Sequence, residues 1–383
     1  MLDTRFHAVC ESAAADWSVP ALAIGIDVGD SPELLALGCD RDTRFRIASV
    51  TKPMTALLAL RLLELESSTG VWPDDVRVRH LLSHTSGFDC ELAERDLTRF
   101  GNGETALGRC VAELPTVRRF LGVEQVWSYA NTGFWLAGYL AAEKAACSFE
   151  EALARHLLEP AGLATTSFAE PDLTGTGADA LEGPYPTARR PSGGLTSSAA
   201  DVLRFGRLLL GDPAGARMRV VHGKPNAGVY GLGLFGQRVG GIDVWGHPGS
   251  YGGFQSTLLI APDRDAVFVG LTNGSNGGQA LRRIEDEFFE RLVGERRQAR
   301  ETVPLDGEAR RRFTGRYENA DEWYEIGVAE EGLQVSTAGG QALALPIAEA
   351  VFEVQDGDAG GVRIDFPLEG FGRFGGRLAE QVA

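Results

Sequence analysis

Lysine is nearly absent from this chain. Of its 37 Lys and Arg residues only Lys52, Lys144 and Lys224 are lysine; the rest carry guanidinium groups, which do not deprotonate in proteins. Cysteine is scarce as well. Cys10, Cys39, Cys90, Cys110 and Cys147 are odd in number, widely spaced and form no C-x-x-C, which suggests neither a zinc site nor a disulfide framework. Positive charge is in deficit, 37 basic against 53 acidic residues for a net charge of −16. That balance repels phosphate backbones and anionic lipid and makes nucleic acid a poor partner. No apolar run approaches the length of a transmembrane helix, and Met1 to His7 shows no charged segment leading into an apolar one, so the expected location is the cytoplasm rather than a membrane. A G-x-S-x-G elbow is missing too, which removes the α/β-hydrolase reading.

What is present belongs to an ordinary globular protein. The 383 residues, 44% hydrophobic and 23% charged, suffice for one large core and a smaller module. Helical spacing over 4–17 is followed by two strands, Ala21–Val28 and Glu33–Leu37, and then by an apolar helix from about 50 to 66. Residues 74–160 are mainly helical, interrupted at Val126–Gly133; 171–197 is rich in Gly, Pro, Thr and Ser and is expected as a long loop at a cleft edge. A helix at 198–210 precedes a run of period two (Tyr230–Val239, Ile242–Gly246, Gly253–Ile260, Ala266–Thr272), and an amphipathic helix spans about 278–297. Strands from both ends of the first 300 residues with helices between them predict an α/β sandwich with an antiparallel sheet. Beyond about 303 short strands from Phe313–Tyr317 to Val362–Phe366 predict a small antiparallel barrel, giving a catalytic domain over 1–300 and a β domain over 301–383.

The rare lysine stands in a telling place. Ser49 opens the apolar helix and Lys52 lies three residues on, hence on the same face. A desolvated ammonium beside a hydroxyl loses affinity for its proton and can draw the proton from the attacking oxygen. Neither Lys144 nor Lys224 has a serine in that relation. Pro53, tolerable only in a first turn, pins the helix onset near Ala48–Val50. Taken alone, the pair also reads as a helix cap and a solvated lysine.

Two further stretches carry polar chemistry. Tyr129-Ala130-Asn131 lies between helices, where a phenol can act as a general base and an amide can hold a substrate carbonyl or amide; the plain alternative is an aromatic anchor and a helix cap. Gly246-His247-Pro248-Gly249-Ser250 belongs at a strand edge, since Pro248 cannot donate into a central ladder. There the Ser250 amide would complete an oxyanion hole with that of Ser49; the alternative is a Gly-rich turn.

In chain order these S-x-x-K, Y-A-N and H-P-G pieces resemble the serine β-lactamase and penicillin-binding protein superfamily, for which S-x-x-K, S-D-N and K-T-G are characteristic. Y-A-N and H-P-G look like its class C β-lactamase, D-aminopeptidase and esterase branch. Leu81-Leu82-Ser83-His84-Thr85-Ser86-Gly87, Gly193-Gly194-Leu195-Thr196-Ser197-Ser198 and Tyr230-Gly231-Leu232-Gly233 are similar to further landmarks of that branch, and the tail around Phe313–Tyr317 resembles the lipocalin-like domain of some members. The resemblance covers about residues 5 to 297. It implies Ser49 as nucleophile, Lys52 and Tyr129 sharing the base work, Asn131 orienting the scissile group, and the Gly249-Ser250 edge with its oxyanion amide. His247, lining the acyl pocket, replaces a lysine; neutral near pH 7, it gives a substrate carboxylate no fixed charge.

The function so implied is serine acyl transfer: a covalent acyl-enzyme from a small-molecule or peptide ester or amide, passed to water or to an amine or alcohol, with no metal or cofactor. A binding or sensor module that is acylated without turnover is the alternative. Two decoys fall away. Gly231-x-Gly233-x-x-Gly236 matches a dinucleotide fingerprint by letter but leads into a strand, and His80 and His84 lack a third ligand and read as structural.

Overall fold

In a computed structural model, residues 1–92, 97–181, 183–225, 228–297, 301–355 and 361–382 are described. The strands in chain order are β1 (Leu22–Val28), β2 (Pro32–Leu37), β3 (Phe45–Arg46), β4 (Thr196–Ser197), β5 (Val229–Tyr230), β6 (Phe235–Val239), β7 (Ile242–Tyr251), β8 (Phe254–Ala261) and β9 (Ala266–Thr272). Seven of them form an antiparallel sheet in the order β2-β1-β9-β8-β7-β6-β5, so strands from the two ends of this region are neighbours; β3 and β4 pair apart. Period-two alternation divides the faces. Leu22, Ile24, Ile26 and Phe268 pack with Phe6, Leu281 and Phe288 of the Thr4–Asp16 and Gly277–Val293 helices. Val267, Val269, Leu258 and Ile260 face the Ala199–Gly211 helix and the helical region.

At the centre of that second layer is the Thr51–Leu62 helix, entered through a 3₁₀ turn at Ala48–Val50 and buried on every side from Thr51 to Leu60. It is shorter than the apolar pattern to residue 66, because Leu63 turns extended. The stretch 171–197 is largely irregular but closes with a short helix, Arg190–Gly193.

β7 runs further than the pattern to Gly246 indicated. Ile242 to Gly246 pair with β6, Trp245 to Tyr251 pair with β8, and so the residues beyond Gly246 pair with β8 alone. The proline is accommodated because this half is an open edge.

The C-terminal region is a closed antiparallel barrel of β10 (Gly315–Glu318), β11 (Trp323–Val328), β12 (Leu333–Thr337), β13 (Gly340–Ala348), β14 (Val351–Val354), β15 (Arg363–Leu368), β16 (Phe371–Phe374) and β17 (Arg377–Val382). The last two strands were unread in the sequence. Gly375 and Gly376, both at positive φ, make the two-residue turn between them, a hairpin signal in hindsight. The barrel is filled by its own side chains, among them Tyr317, Tyr324, Phe352 and Phe374.

One buried ion pair fastens the barrel to the rest. Arg373 of β16 donates to Asp365 of β15 through Nε at 2.8 Å and to the Trp127 carbonyl through Nη1 at 2.8 Å. Both side chains are almost fully buried. Arg373→Ala strands the Asp365 charge, and we expect it to cost about 3–5 kcal/mol of stability, seen as a lowered thermal unfolding midpoint.

Candidate active site

Ser49 sits in the 3₁₀ turn that opens the buried helix, half-buried itself. The preceding Ala48 has φ of 44°, a left-handed conformation rare outside glycine and worth on the order of 1–3 kcal/mol of strain. Lys52, fully buried, reaches back along the same helix face: its Nζ is 3.1 Å from Ser49 Oγ and donates to the Ser192 carbonyl at 2.7 Å. Burial drives the ammonium far toward the neutral amine; Glu91 opposes this, and Arg189 and Arg377 reinforce it. The glycine- and proline-rich stretch expected at a cleft edge thus supplies the carbonyl that holds the amine.

Tyr129 comes from the break between helices. Its hydroxyl donates to Ser49 Oγ at 3.0 Å, and its ring lies 4.8 Å from Lys52 Nζ. Burial raises the phenol pKa, against the Ser49 hydrogen bond, so the hydroxyl keeps its proton. Three consecutive amides hold the residue in place. Ser128 N–H donates to the His84 carbonyl (3.0 Å), Tyr129 N–H to the Gly376 carbonyl (2.9 Å) and Ala130 N–H to His84 Nδ1 (3.1 Å). The barrel's Gly375-Gly376 turn is therefore part of the support for Tyr129.

The Gly246–Ser250 stretch forms the opposite wall. The two-residue Gly252-Gly253 turn makes Tyr251 and Phe254 the hydrogen-bonded pair, so by alternation Pro248 and Ser250 direct their backbone nitrogens to the open edge of β7. Pro248 has no N–H to lose there, and Ser250 presents one. Gly249 is required for the close approach. A Cβ on it would stand 2.4 Å from the Ile47 carbonyl oxygen and 3.1 Å from the Ser49 nitrogen, bringing the strand edge beside the Ser49 amide. His247 is buried, with Nδ1 2.5 Å from the Pro248 carbonyl oxygen; burial, then the Lys52 charge, pull its pKa down to about 3.

Ser49, Tyr129, His247, Gly249 and Ser250 line one cleft of about 550 Å³. Asn131, the first residue of the Asn131–Ala145 helix, is not among its lining residues; its Nδ2 donates to Glu91, which also accepts from Arg189 at 3.2 Å. Arg377 of the barrel does line the cleft, ion-paired with Asp321. It brings a permanent cation to a site whose strand carries histidine in place of lysine. The sequence reading passed over Arg377, Ser192 and Glu91, and left His84, inside its H-T-S-G stretch, as structural. His80 caps its own helix, Nδ1 accepting from Arg77 N–H. No group of three His, Cys, Asp or Glu among the described residues is arranged to hold a metal.

The buried histidines make stability pH-dependent. His84 is also held neutral by burial, well below its ordinary pKa of 6.5. The unfolded chain takes up protons below about pH 6.5 that the folded one refuses, in His247 until about pH 3, so unfolding binds protons in that window. Stability is therefore present above pH 6.5 and lost as the pH falls toward 3. A series of thermal midpoints against pH checks this, with a shallower fall expected for His247→Asn.

Comparison with known proteins gives the same picture. The Beta-lactamase family model matches residues 14–289. Penicillin-binding protein 4 of Amycolatopsis lactamdurans is 29% identical over 339 residues, covering 72% of this chain and 84% of that protein. Among solved structures, SurE aligns over 99% of this chain and 98% of its own at 21% identity and a TM-score of 0.79, barrel included. The D-amino acid amidase of Ochrobactrum anthropi SV3 aligns over 74% of this chain and 100% of its own at 19% identity and a TM-score of 0.61. With a buried lysine and a half-buried tyrosine meeting at one serine hydroxyl, and a family model spanning most of the chain, this protein belongs to the Beta-lactamase family of serine hydrolases.

Proposed function

We propose that the chain is a serine acyl-transfer enzyme in which Ser49 forms a covalent acyl-enzyme from an ester or amide. The observation that carries the reading is the meeting of Lys52 Nζ and Tyr129 Oη at Ser49 Oγ, 3.1 and 3.0 Å away, with burial favouring the uncharged form of both. One proton arrangement satisfies all partners. Tyr129 O–H donates to Ser49 Oγ, Ser49 O–H donates to the lone pair of the Lys52 amine, and a Lys52 N–H donates to the Ser192 carbonyl.

In that arrangement Oγ attacks the carbonyl carbon while its proton passes to Lys52. The carbonyl electron pair moves onto oxygen, between the Ser49 and Ser250 amides. As the tetrahedral species collapses, the bond to the leaving amine or alcohol breaks. Tyr129 gives the departing atom a proton and is resupplied from Lys52. Water or an amine entering the same position reverses the sequence and releases the acyl group. Asn131, its NH₂ anchored on Glu91 and its side chain outside the cleft lining, makes no direct contact with the scissile group in this arrangement.

The acceptor is the finer part of the proposal. Arg377 gives the cleft a fixed cation suited to a carboxylate on either substrate, and the barrel turn narrows the approach to Ser49. Structures with this fold include SurE solved with D-Leu and a D-amino acid amidase. We therefore propose D-configured amino acid esters and amides as acyl donors, with an amine competing against water as acceptor.

The test is incubation with an activated D-amino acid ester, with and without amine acceptors, followed by intact mass and product analysis. A transient adduct on Ser49, absent in Ser49→Ala, is expected; an adduct that never resolves points to the non-turnover sensor, and no adduct with any donor rejects the reading. Lys52→Arg keeps charge but supplies no base, and kcat should fall by about 10²–10⁴. In Arg377→Ala, KM should rise for carboxylate-bearing substrates and stay unchanged for their neutral esters.

A further inference from the structure

Behind Tyr129 lie three polar side chains that the proposed chemistry does not use. His84, Tyr230 and His247 are each at most 2% exposed, and His84 Nε2, Tyr230 Oη and His247 Nε2 have no hydrogen-bond partner among the described residues. The Tyr230 ring centroid is 4.9 Å from that of His84 and 6.3 Å from that of His247, and Tyr129 packs on both histidines, at 4.4 and 6.0 Å. Trp127 Nε1 is a fourth such atom, its ring centroid 5.7 Å from that of His84 and 5.3 Å from that of Tyr230; buried polar atoms are ordinarily satisfied, so orphans gathered in one cluster call for a ligand.

The backbone decides what each orphan offers. His84 Nδ1 accepts from Ala130 N–H, which puts the proton of the neutral ring on Nε2 and makes that atom a donor. His247 Nδ1 faces the Pro248 carbonyl oxygen, which can only accept, so Nδ1 carries the proton and Nε2 is a bare acceptor. Tyr230 O–H both donates and accepts. A donor, an acceptor and a hydroxyl are the complement of one water molecule, and buried waters typically make about three such bonds.

We propose that a structural water bridges His84 Nε2, Tyr230 Oη and His247 Nε2, and that Tyr230 is thereby a positioning residue of the active site. The water accepts from His84, donates to His247 and closes the third bond with Tyr230. It ties the residue that holds the Ser128 and Ala130 amides to the residue that precedes the Pro248–Ser250 edge, so the two walls of the cleft share one polar hinge. This gives a task to Tyr230 of the Y-G-L-G stretch and to His84 of the H-T-S-G stretch.

The water site stands apart from the acyl-transfer reading; only its effect on turnover rests on that reading. A crystal structure of the full chain at a resolution that orders solvent should show a peak within about 3.2 Å of both Nε2 atoms and of Tyr230 Oη. Nitrogen-15 spectra of the histidines at pH 7 should report the Nε2–H tautomer for His84 and the Nδ1–H tautomer for His247, with the His247 Nε2 resonance displaced in Tyr230→Phe. On an activated ester that variant should lose about fivefold to tenfold in kcat with KM little changed. A cluster without a solvent peak, the opposite tautomer on either ring, or a Tyr230→Phe enzyme with unchanged kcat and a raised thermal midpoint overturns the proposal. A wild-type enzyme inert toward every ester would count against Ser49 chemistry instead, while the peak and the tautomers still decide the water site.

Discussion

Keeping the Lys52 side chain out of water is the constraint around which this molecule is arranged. An ammonium with no solvent and no adjacent carboxylate is costly to bury, and burial accordingly weakens the group's hold on its proton. Glu91 is close enough to be felt but is occupied by Asn131 and Arg189 rather than bonded to the lysine. A direct ion pair would have held the amine charged and useless as a base. The fully buried Thr51–Leu62 helix, the Ser192 carbonyl and the ring of Tyr129 all enforce the same dry surroundings.

That environment depends on both regions of the chain. The barrel sends its Gly375-Gly376 turn to the Tyr129 backbone, its Leu378 amide to Ser128 Oγ at 3.0 Å and its Arg373 to the Trp127 carbonyl, so three successive residues of one segment are each held from the barrel. Arg377 then stands in the cleft wall. A β domain that looks like an appendage in the sequence is in this way continuous with the site.

Much of the site was legible because its key relation is local. Ser49 and Lys52 are one helical turn apart, so their shared face follows from helix geometry. Pro53 marked the turn, and the scarcity of lysine drew attention to the pair. Pro248 likewise announced an open edge, and β7 has one there. Reading stopped where partners are distant. Nothing near Tyr129 announces that its amide is bonded to Gly376, or that Glu91 rather than substrate receives the Asn131 NH₂. The hairpin that carries Arg377 escaped notice although Gly375-Gly376 was its signal; its second strand closes the barrel on β10, far back in the chain, a partner that no local pattern announces.

The amino-acid order by itself determined the periodicities, the helix onset at the serine, the antiparallel run, the barrel-like tail and the deficit of positive charge. These rest on spacing and composition, which act over a few residues or over the whole chain at once. Tertiary structure alone decided which amine holds its proton weakly, which histidine nitrogens lack a partner among the described residues, and which carbonyls and cations reach the cleft. Those properties come from desolvation and from contacts between segments far apart in sequence, and no local pattern encodes them.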